Sequence, residues 1–334
     1  MPTGRRSVEK VVIIGSGPAA YTAAIYTGRA LLEPLLIAGS LLGGQATMTA
    51  DIENYPGFPQ GVDGSQLMQS MLEQAERFGA RLQMDEVTSV DLKRHPFIIH
   101  TTSGPIETQS VIVATGTTPR RLGVPGEREF MGRGVSFCAT CDGFFYRGKA
   151  VMVVGGGNAA AAEAEFLTRF ASEVYLVHRR EQLRAEPIVQ KRLLSNPKIK
   201  PIWNSVVTEI MGQDAVTGAR LRNVRTNEES VQPIAGIFVY IGTDANTSFL
   251  GGQLRLDSAG YIVADRHGRT SVPGVFAAGD VQDPLLHQVA TAVGSGAAAG
   301  MAVEHFLAEL STRSYEEIAR EAGGAVPLEP GAPA

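Results

Sequence analysis

The 334-residue sequence predicts an α/β protein of two domains, and three observations carry that expectation. The chain is longer than one comfortable hydrophobic core, so two domains are expected. Its composition, 44% hydrophobic and 19% charged residues with 38 glycines, fits a globular fold with many tight strand-to-helix turns. Most telling is a local pattern that occurs twice: a short apolar strand, a glycine-rich turn, then a helix.

The first copy begins at Val11-Val12-Ile13-Ile14, a continuous β-branched run suited to a parallel strand buried on both faces. It enters Gly15-Ser16-Gly17-Pro18-Ala19-Ala20, and a helix is expected from Tyr21 to about Arg29. This is G-x-G-x-x-A in strand–turn–helix context. Gly15 permits the tight turn, Gly17 lets a pyrophosphate approach the backbone, and Ala20 lets helix and strand pack closely. The helix N-terminus offers free N–H groups to phosphate. The second copy starts 140 residues later: Val151-Met152-Val153-Val154, Gly155-Gly156-Gly157-Asn158-Ala159-Ala160, and a helix through about Phe170. Two such βαβ units give two Rossmann-like, three-layer dinucleotide-binding domains and call for two cofactors.

The segment after each helix indicates which nucleotide it holds. From Gly155, 23 residues lead to His178 in Val177-His178-Arg179-Arg180, with Arg184 one helical turn on. An NAD site places a carboxylate there for the ribose hydroxyl, whereas arginines accept the 2′-phosphate of NADP. The same count from Gly15 reaches Ala38 in Leu36-Ile37-Ala38-Gly39. No acid stands there, and Glu33 comes too early to replace it.

Both cysteines of the chain fall in Phe137-Cys138-Ala139-Thr140-Cys141-Asp142-Gly143. A Cys-x-x-Cys pair can close a disulfide or open to two thiols, and so store two electrons. So small a disulfide loop adds little to fold stability, which makes redox exchange the stronger reading. Tetrahedral zinc needs four ligands, and no second cysteine pair exists. A lone Cys-x-x-Cys fits a reducing, cytoplasmic setting.

A net charge of −4 and a pI near 5.9 give no electrostatic case for nucleic acid or an anionic membrane. No apolar run approaches the roughly 20 residues that span a bilayer. The segment Met1 to Arg6 lacks the apolar core of a signal peptide, and Arg5-Arg6 alone is a poor twin-arginine signal.

With these motifs in hand, the chain closely resembles the low-molecular-weight thioredoxin reductases of bacteria and plants. The resemblance rests on the first glycine loop, Gly43-Gly44-Gln45, Glu53-Asn54-Tyr55-Pro56-Gly57, Ala114-Thr115-Gly116, the Cys138–Gly143 motif, His178-Arg179-Arg180, and Gly274-Val275-Phe276-Ala277-Ala278-Gly279-Asp280. These stand in family order and cover roughly residues 9 to 310. The resemblance implies an FAD domain split between 1–119 and 248–310, an NADPH-type domain at 120–247 that carries the cysteines, and a tail at 311–334. FAD would be held by Gly15, Ser16, Gly17, Pro18, Ala19, Gly39, Gly44, Gln45, Asn54, Val87, Thr115 and Gly116. From the far side of the insertion come Gly279, Asp280, His287, Gln288 and Val289. NADPH would meet Gly155, Gly157, Asn158, Ala159, His178, Arg179, Arg180 and Arg184.

By the same resemblance, Cys141 faces the flavin, Cys138 attacks the disulfide of thioredoxin, and Asp142 is the general acid. That role needs a carboxyl titrating above its usual range, through burial. Flavin cannot face nicotinamide and disulfide together, so a rotation of the inserted domain about its two crossings is implied. A homodimer is the expected assembly.

The chain departs from the family pattern in three places. Ala159 and Ala162 replace a hydroxyl and an acid near the nicotinamide half. Leu286-His287-Gln288 replaces Tyr-Arg-Gln, and the last helix, Gly294 to Gly300, lacks the usual Cys-Met. In the tail, Ser314-Tyr315-Glu316-Glu317 has capping-box spacing and predicts a short helix to Ala322, while the Gly/Pro/Ala-rich 323–334 reads as disordered. Tyr315 could cover a flavin, its own or a partner subunit's. These departures keep open a disulfide reductase of the same fold that uses a donor other than NADPH, or a dithiol oxidase.

Overall fold

The computed structural model describes residues 8–49 and 52–322, so the expected disorder of 323–334 falls outside the described residues. The chain divides into two compact units, Met1–Thr118 with Asp244–Ala334, and Pro119–Thr243.

In the first unit, β1 (Val12–Ile14) runs through the glycine turn into α1 (Pro18–Arg29) and back to β2 (Leu35–Ile37). The helix α2 (Gly64–Arg77) then leads to β3 (Arg81–Gln83). Asp63 starts α2 by accepting the Gln66 N–H at 2.9 Å, an N-cap that satisfies one otherwise unpaired donor. Three antiparallel strands follow, β4 (Val87–Asp91), β5 (Phe97–Thr101) and β6 (Gly104–Thr108), before β7 (Val111–Val113) rejoins the parallel sheet. The short β8 (Thr117–Pro119) leads out of the unit.

The second unit repeats this plan. It opens with β9 (Val135–Ser136), the one-turn helix α3 (Ala139–Asp142) and β10 (Ala150–Gly155). Next come α4 (Asn158–Leu167), β11 (Glu173–Val177), α5 (Pro187–Leu194) and β12 (Ile199–Ile202). An antiparallel trio, β13 (Ser205–Gly212), β14 (Val216–Asn223) and β15 (Glu229–Pro233), precedes β16 (Gly236–Tyr240) and the exit strand β17 (Thr243–Ala245). The chain then completes the first unit with β18 (Val275–Ala277), α6 (Val289–Leu310) and α7 (Tyr315–Ala322).

The two parallel sheets have equivalent orders, β18-β7-β1-β2-β3 and β9-β16-β10-β11-β12. In each, the strand before the glycine loop is central and is flanked by parallel partners on both sides. Each unit has three layers: helices, parallel sheet, antiparallel trio. Alternation along β1 shows why. Ile13 packs toward the helices with Ala20, Ala24 and Ala299, whereas Val12 and Ile14 pack toward the trio with Phe97 and Ile99. Fully apolar strands are therefore required, since neither face meets water.

The boundaries differ from the sequence expectation at two helices. α1 starts three residues early, because Pro18 at its first position has the φ that a helix needs and no N–H to lose. α4 stops at Leu167 rather than Phe170, where the Thr168 hydroxyl turns back to the Glu165 carbonyl at 2.7 Å. The predicted tail helix is present as α7, and its capping box is formed both ways: Ser314 N–H to Glu317 at 3.0 Å and Glu317 N–H to Ser314 at 3.3 Å.

α6 lies on α1 through small residues. A Cβ on Gly296 would come 2.3 Å from the Ala19 carbonyl oxygen, which no side chain tolerates without moving backbone. Gly296→Ala is expected to lower stability by about 1–3 kcal/mol through overpacking. Gly294→Ala, two residues away in open space, should be neutral or slightly stabilising. Urea midpoints of the two variants against the parent check both.

Candidate active site

The first glycine loop sits at the carboxyl edge of its sheet, where open α/β folds bind their ligands. Gly15 has φ +126°, and a Cβ there would lie 2.3 Å from the Ala114 carbonyl oxygen, so only glycine fits. Gly17 meets nothing within 4 Å and starts α1 without a side-chain cap, leaving the helix N–H groups facing open space. Pro18 and Ala19 form the first turn of α1, and a Cβ added at Gly44 would come 3.2 Å from the Gly17 Cα. The Ser16 hydroxyl faces the protein: it donates to the Ala38 and Leu41 carbonyls at 2.7 and 3.1 Å, tying the loop to the chain after β2. Gly39 lies in that segment at φ +73°.

Residues far apart in sequence meet around this crevice. The Asn54 amide donates to the Gln288 side chain at 3.0 Å, and Gln288 caps α6, whose first residue is Val289. Gln45 donates to the Thr117 carbonyl at 2.7 Å. The Thr115 hydroxyl donates to the Asn246 carbonyl at 2.8 Å, and the Asn246 amide returns a bond to the Thr115 carbonyl at 2.9 Å, with Gly116 following at φ +63°. Gly279 packs on Ala19, where an added Cβ would come 2.9 Å from the Ala19 Cβ. Val87 begins β4, two residues after Asp85, whose carbonyl accepts the Gly39 N–H at 3.0 Å.

Asp280 follows Gly279 and is buried, which pushes its carboxyl up to about 6; Asp283 adds to the rise and His287 opposes it. His287 donates from Nε2 to the Asp283 carbonyl at 2.9 Å and stacks on Tyr261 at 6.3 Å.

The second glycine loop repeats the first. A Cβ on Gly155 would lie 2.3 Å from the Tyr240 carbonyl oxygen, and Gly157 meets nothing within 4 Å and starts α4 without a side-chain cap. Ala159 follows in the first turn of α4, while Asn158 turns aside to accept the Glu186 N–H at 2.9 Å. His178 is buried, and its Nε2 has no hydrogen-bond partner among the described residues. Its ring lies over Gly156, where a Cβ would clash at 2.2 Å, and it bonds the Gln182 backbone. Burial, then the charges of Arg184, Arg180 and Arg179, pull its pKa down, so it is a neutral wedge beneath the loop. The three arginines are exposed, and none is in an ion pair among the described residues.

Cys138 and Cys141 form a disulfide, with Cα atoms 5.3 Å apart, around the start of α3. The Cys138 N–H is held by the Ser136 hydroxyl at 3.0 Å, and the Cys141 N–H points at the Cys138 sulfur at 3.2 Å. Burial pushes the Asp142 carboxyl above its ordinary range, with the Ser136 hydroxyl pulling the other way. Two residues absent from the sequence reading belong to this site. Ser136 holds both Cys138 and Asp142, and the Tyr240 hydroxyl accepts the Ala139 N–H at 2.5 Å. Neither stands in a recognisable motif.

A family model described as pyridine nucleotide-disulphide oxidoreductase matches residues 9–296. A thioredoxin reductase of Rickettsia felis is 50% identical over 89% of this chain and 98% of its own length. One of Streptomyces coelicolor is 48% identical over 93% and 97%. The crystal structure of thioredoxin reductase from Streptococcus pyogenes superposes with a TM-score of 0.86 at 42% identity, covering 91% of this chain and all of that one. The chain belongs to the thioredoxin reductase family.

As a member of that family it is an FAD-dependent pyridine nucleotide-disulphide oxidoreductase. The residues present fit both cofactors of the family: each glycine loop has an uncapped helix N-terminus opposite open space. The tail does not fit the role considered for it within its own chain. Tyr315 stacks on His95 at 4.4 Å, meets Phe97 edge-on at 5.7 Å and donates to the Pro273 carbonyl at 3.3 Å. Aromatic partners on and beside β5 hold it there, away from the first glycine loop's crevice.

A general acid works only while protonated, and raising its pKa extends that range upward. Turnover should therefore fall as pH rises through the elevated pKa of Asp142. Asp142→Asn should flatten that limb and lower the rate by about 10²–10⁴-fold, read from steady-state pH profiles.

Proposed function

We propose that the chain is a cytoplasmic thioredoxin reductase that takes electrons from NADPH and delivers them to the disulfide of thioredoxin. The observation that carries this reading is the closed Cys138–Cys141 disulfide beside a carboxyl kept protonatable by burial. Bound FAD would pass electrons between the nicotinamide and that disulfide. The chain's own residues do the rest. Gly17 and Gly157 leave helix N–H groups for the two pyrophosphates, and Asp280 offers a buried acceptor on the FAD side. Arg179, Arg180 and Arg184 offer charge-assisted donors to a 2′-phosphate.

Asp142 holds the proton that a departing sulfur needs, and Ser136 keeps it in place. Phe144 and Phe145, both exposed just after the dithiol turn, give a protein partner an apolar surface next to Cys138. The inserted unit, Pro119–Thr243, would carry the dithiol and NADPH, and the rest of the chain FAD. Rotation about the crossings after Thr118 and Thr243 would let the two exchange places. Tyr26 and Met301, exposed on the adjoining helices α1 and α6, favour a homodimer. Light scattering on the holoenzyme should return twice the monomer mass.

Ala159 and Ala162 support the second reading, a disulfide reductase with another donor, because they remove side-chain contacts near the nicotinamide half. One experiment separates the two. Under anaerobic mixing, NADPH is expected to bleach the flavin rapidly and NADH slowly. A flavin that stays oxidised with NADPH but bleaches with dithionite would establish the second reading. In the Arg179→Gln/Arg180→Gln variant, KM for NADPH should rise by about 10–100-fold, from two lost charge-assisted bonds, with NADH turnover unchanged.

A further inference from the structure

Ala139 opens the dithiol turn and is fully buried, so its N–H cannot reach water. As the first residue of a helix it has no carbonyl one turn back to bond within that helix, and a buried N–H must find its partner elsewhere. The partner is the Tyr240 phenol, whose oxygen accepts the Ala139 N–H at 2.5 Å. Tyr240 ends β16, and its backbone is itself fixed: it pairs with Gly155 across the sheet, and its carbonyl is the oxygen that crowds that glycine. A strand end held by the sheet therefore holds the first residue of the turn.

The two residues that follow Ala139 are the ones that face the Cys138 sulfur. The Cys141 N–H points at it from 3.2 Å, and the Thr140 hydroxyl lies 3.3 Å from it. A disulfide sulfur carries no hydrogen, so the hydroxyl is the donor in that contact. Two donors directed at one sulfur do little for a neutral disulfide and more for a thiolate, because a bond to an ionised acceptor is roughly twice as strong. Once the disulfide opens, they favour the ionised form of Cys138. Their aim depends on where the turn sits. The Ser136 hydroxyl fastens it at the Cys138 N–H, and Tyr240 fastens it at the next N–H along.

We propose that Tyr240 is a positioning residue for the Cys138–Cys141 couple: by holding the Ala139 N–H it keeps the Thr140 hydroxyl and the Cys141 N–H directed at Cys138, and so keeps the reduced Cys138 ionised and reactive. The role lies in the hydroxyl alone, since a phenylalanine would keep the ring and the strand. The bond can be removed from either end. Tyr240→Phe deletes the acceptor. Ala139→Pro deletes the donor, and proline suits the first position of a helix, where the preceding Cys138 is already extended at φ −141° and ψ 100°. The titratable side chains around this corner, Asp142, Glu163 and Tyr146, are the same in every variant. The inference rests on Cys138–Cys141 being the redox couple, and not on which donor or partner the enzyme uses.

The test reads Cys138 directly. The FAD-loaded enzyme is reduced anaerobically with a phosphine, desalted, and alkylated with iodoacetamide across pH, and labelling of Cys138 is followed by peptide mass spectrometry. In Tyr240→Phe the midpoint of the labelling profile should move to higher pH. The rate at pH 7 should fall by about fivefold, the worth of one net hydrogen bond, while the plateau at high pH matches the parent. Ala139→Pro should do the same, and the double variant should be no slower than either alone, because both remove one bond. Should one single variant fail to fold, the midpoint in the other decides. An unshifted midpoint, or shifts that add in the double variant, overturns the proposal. A parent whose Cys138 stays unlabelled after reduction overturns the redox couple and the proposal together.

Discussion

Both units depend on one close approach, made twice. Where the central strand ends, the first glycine of the loop sits so near the neighbouring strand's carbonyl that a Cβ would lie 2.3 Å from it, at Ala114 in one unit and Tyr240 in the other. That contact lets the chain turn at once into a helix, so the helix N-terminus points over the carboxyl edge of the sheet. Without it the turn would widen, and the uncapped N–H groups behind Gly17 and behind Gly157 would no longer face the open edge of their own sheets. The three-layer packing, with fully apolar strands between helices and an antiparallel trio, holds the two strands at that separation.

The parts legible in the sequence are those set by local chemistry. The strand–turn–helix units could be read because glycine spacing and apolar runs have few other uses, and the tail helix because Ser314 and Glu317 cap each other within one turn. The antiparallel trios were not legible. Their strands are mixed in polarity, and their register is set by pairing, as in Ile99 opposite Ile106. The seat of Tyr315 was hidden for a similar reason, since His95 and Phe97 lie far back in the chain. The roles of Ser16 and His178 also depend on tertiary contacts. Both stand in nucleotide motifs, yet each turns inward, one tying a loop to carbonyls and the other filling the space under Gly156.

His178 shows how a motif residue can shape a glycine loop from beneath it. Its ring excludes any side chain at Gly156, and the segment after it returns to bond the Gly156 carbonyl from the Arg184 N–H at 2.6 Å. The exposed arginines are therefore mounted on a segment that is fastened to the glycine loop itself. Kept neutral by burial and by those arginines, His178 adds no charge of its own to the site. The arginine segment and the glycine loop are thus one construction, to which the side chains of Ala159 and Ala162 contribute no polar contact.

The same economy joins the second glycine loop to the dithiol. Strand β16 ends at Tyr240, whose carbonyl crowds Gly155 and whose hydroxyl holds Ala139. A shift of this strand end would move the nucleotide loop and the dithiol turn together, because one residue touches both. In the first unit the equivalent position is Ala114, whose methyl group cannot extend such a link. The repeat is therefore symmetric in backbone and asymmetric in chemistry: the shared contact builds a nucleotide crevice in each unit, and a single phenol converts the second copy into a support for the cysteines.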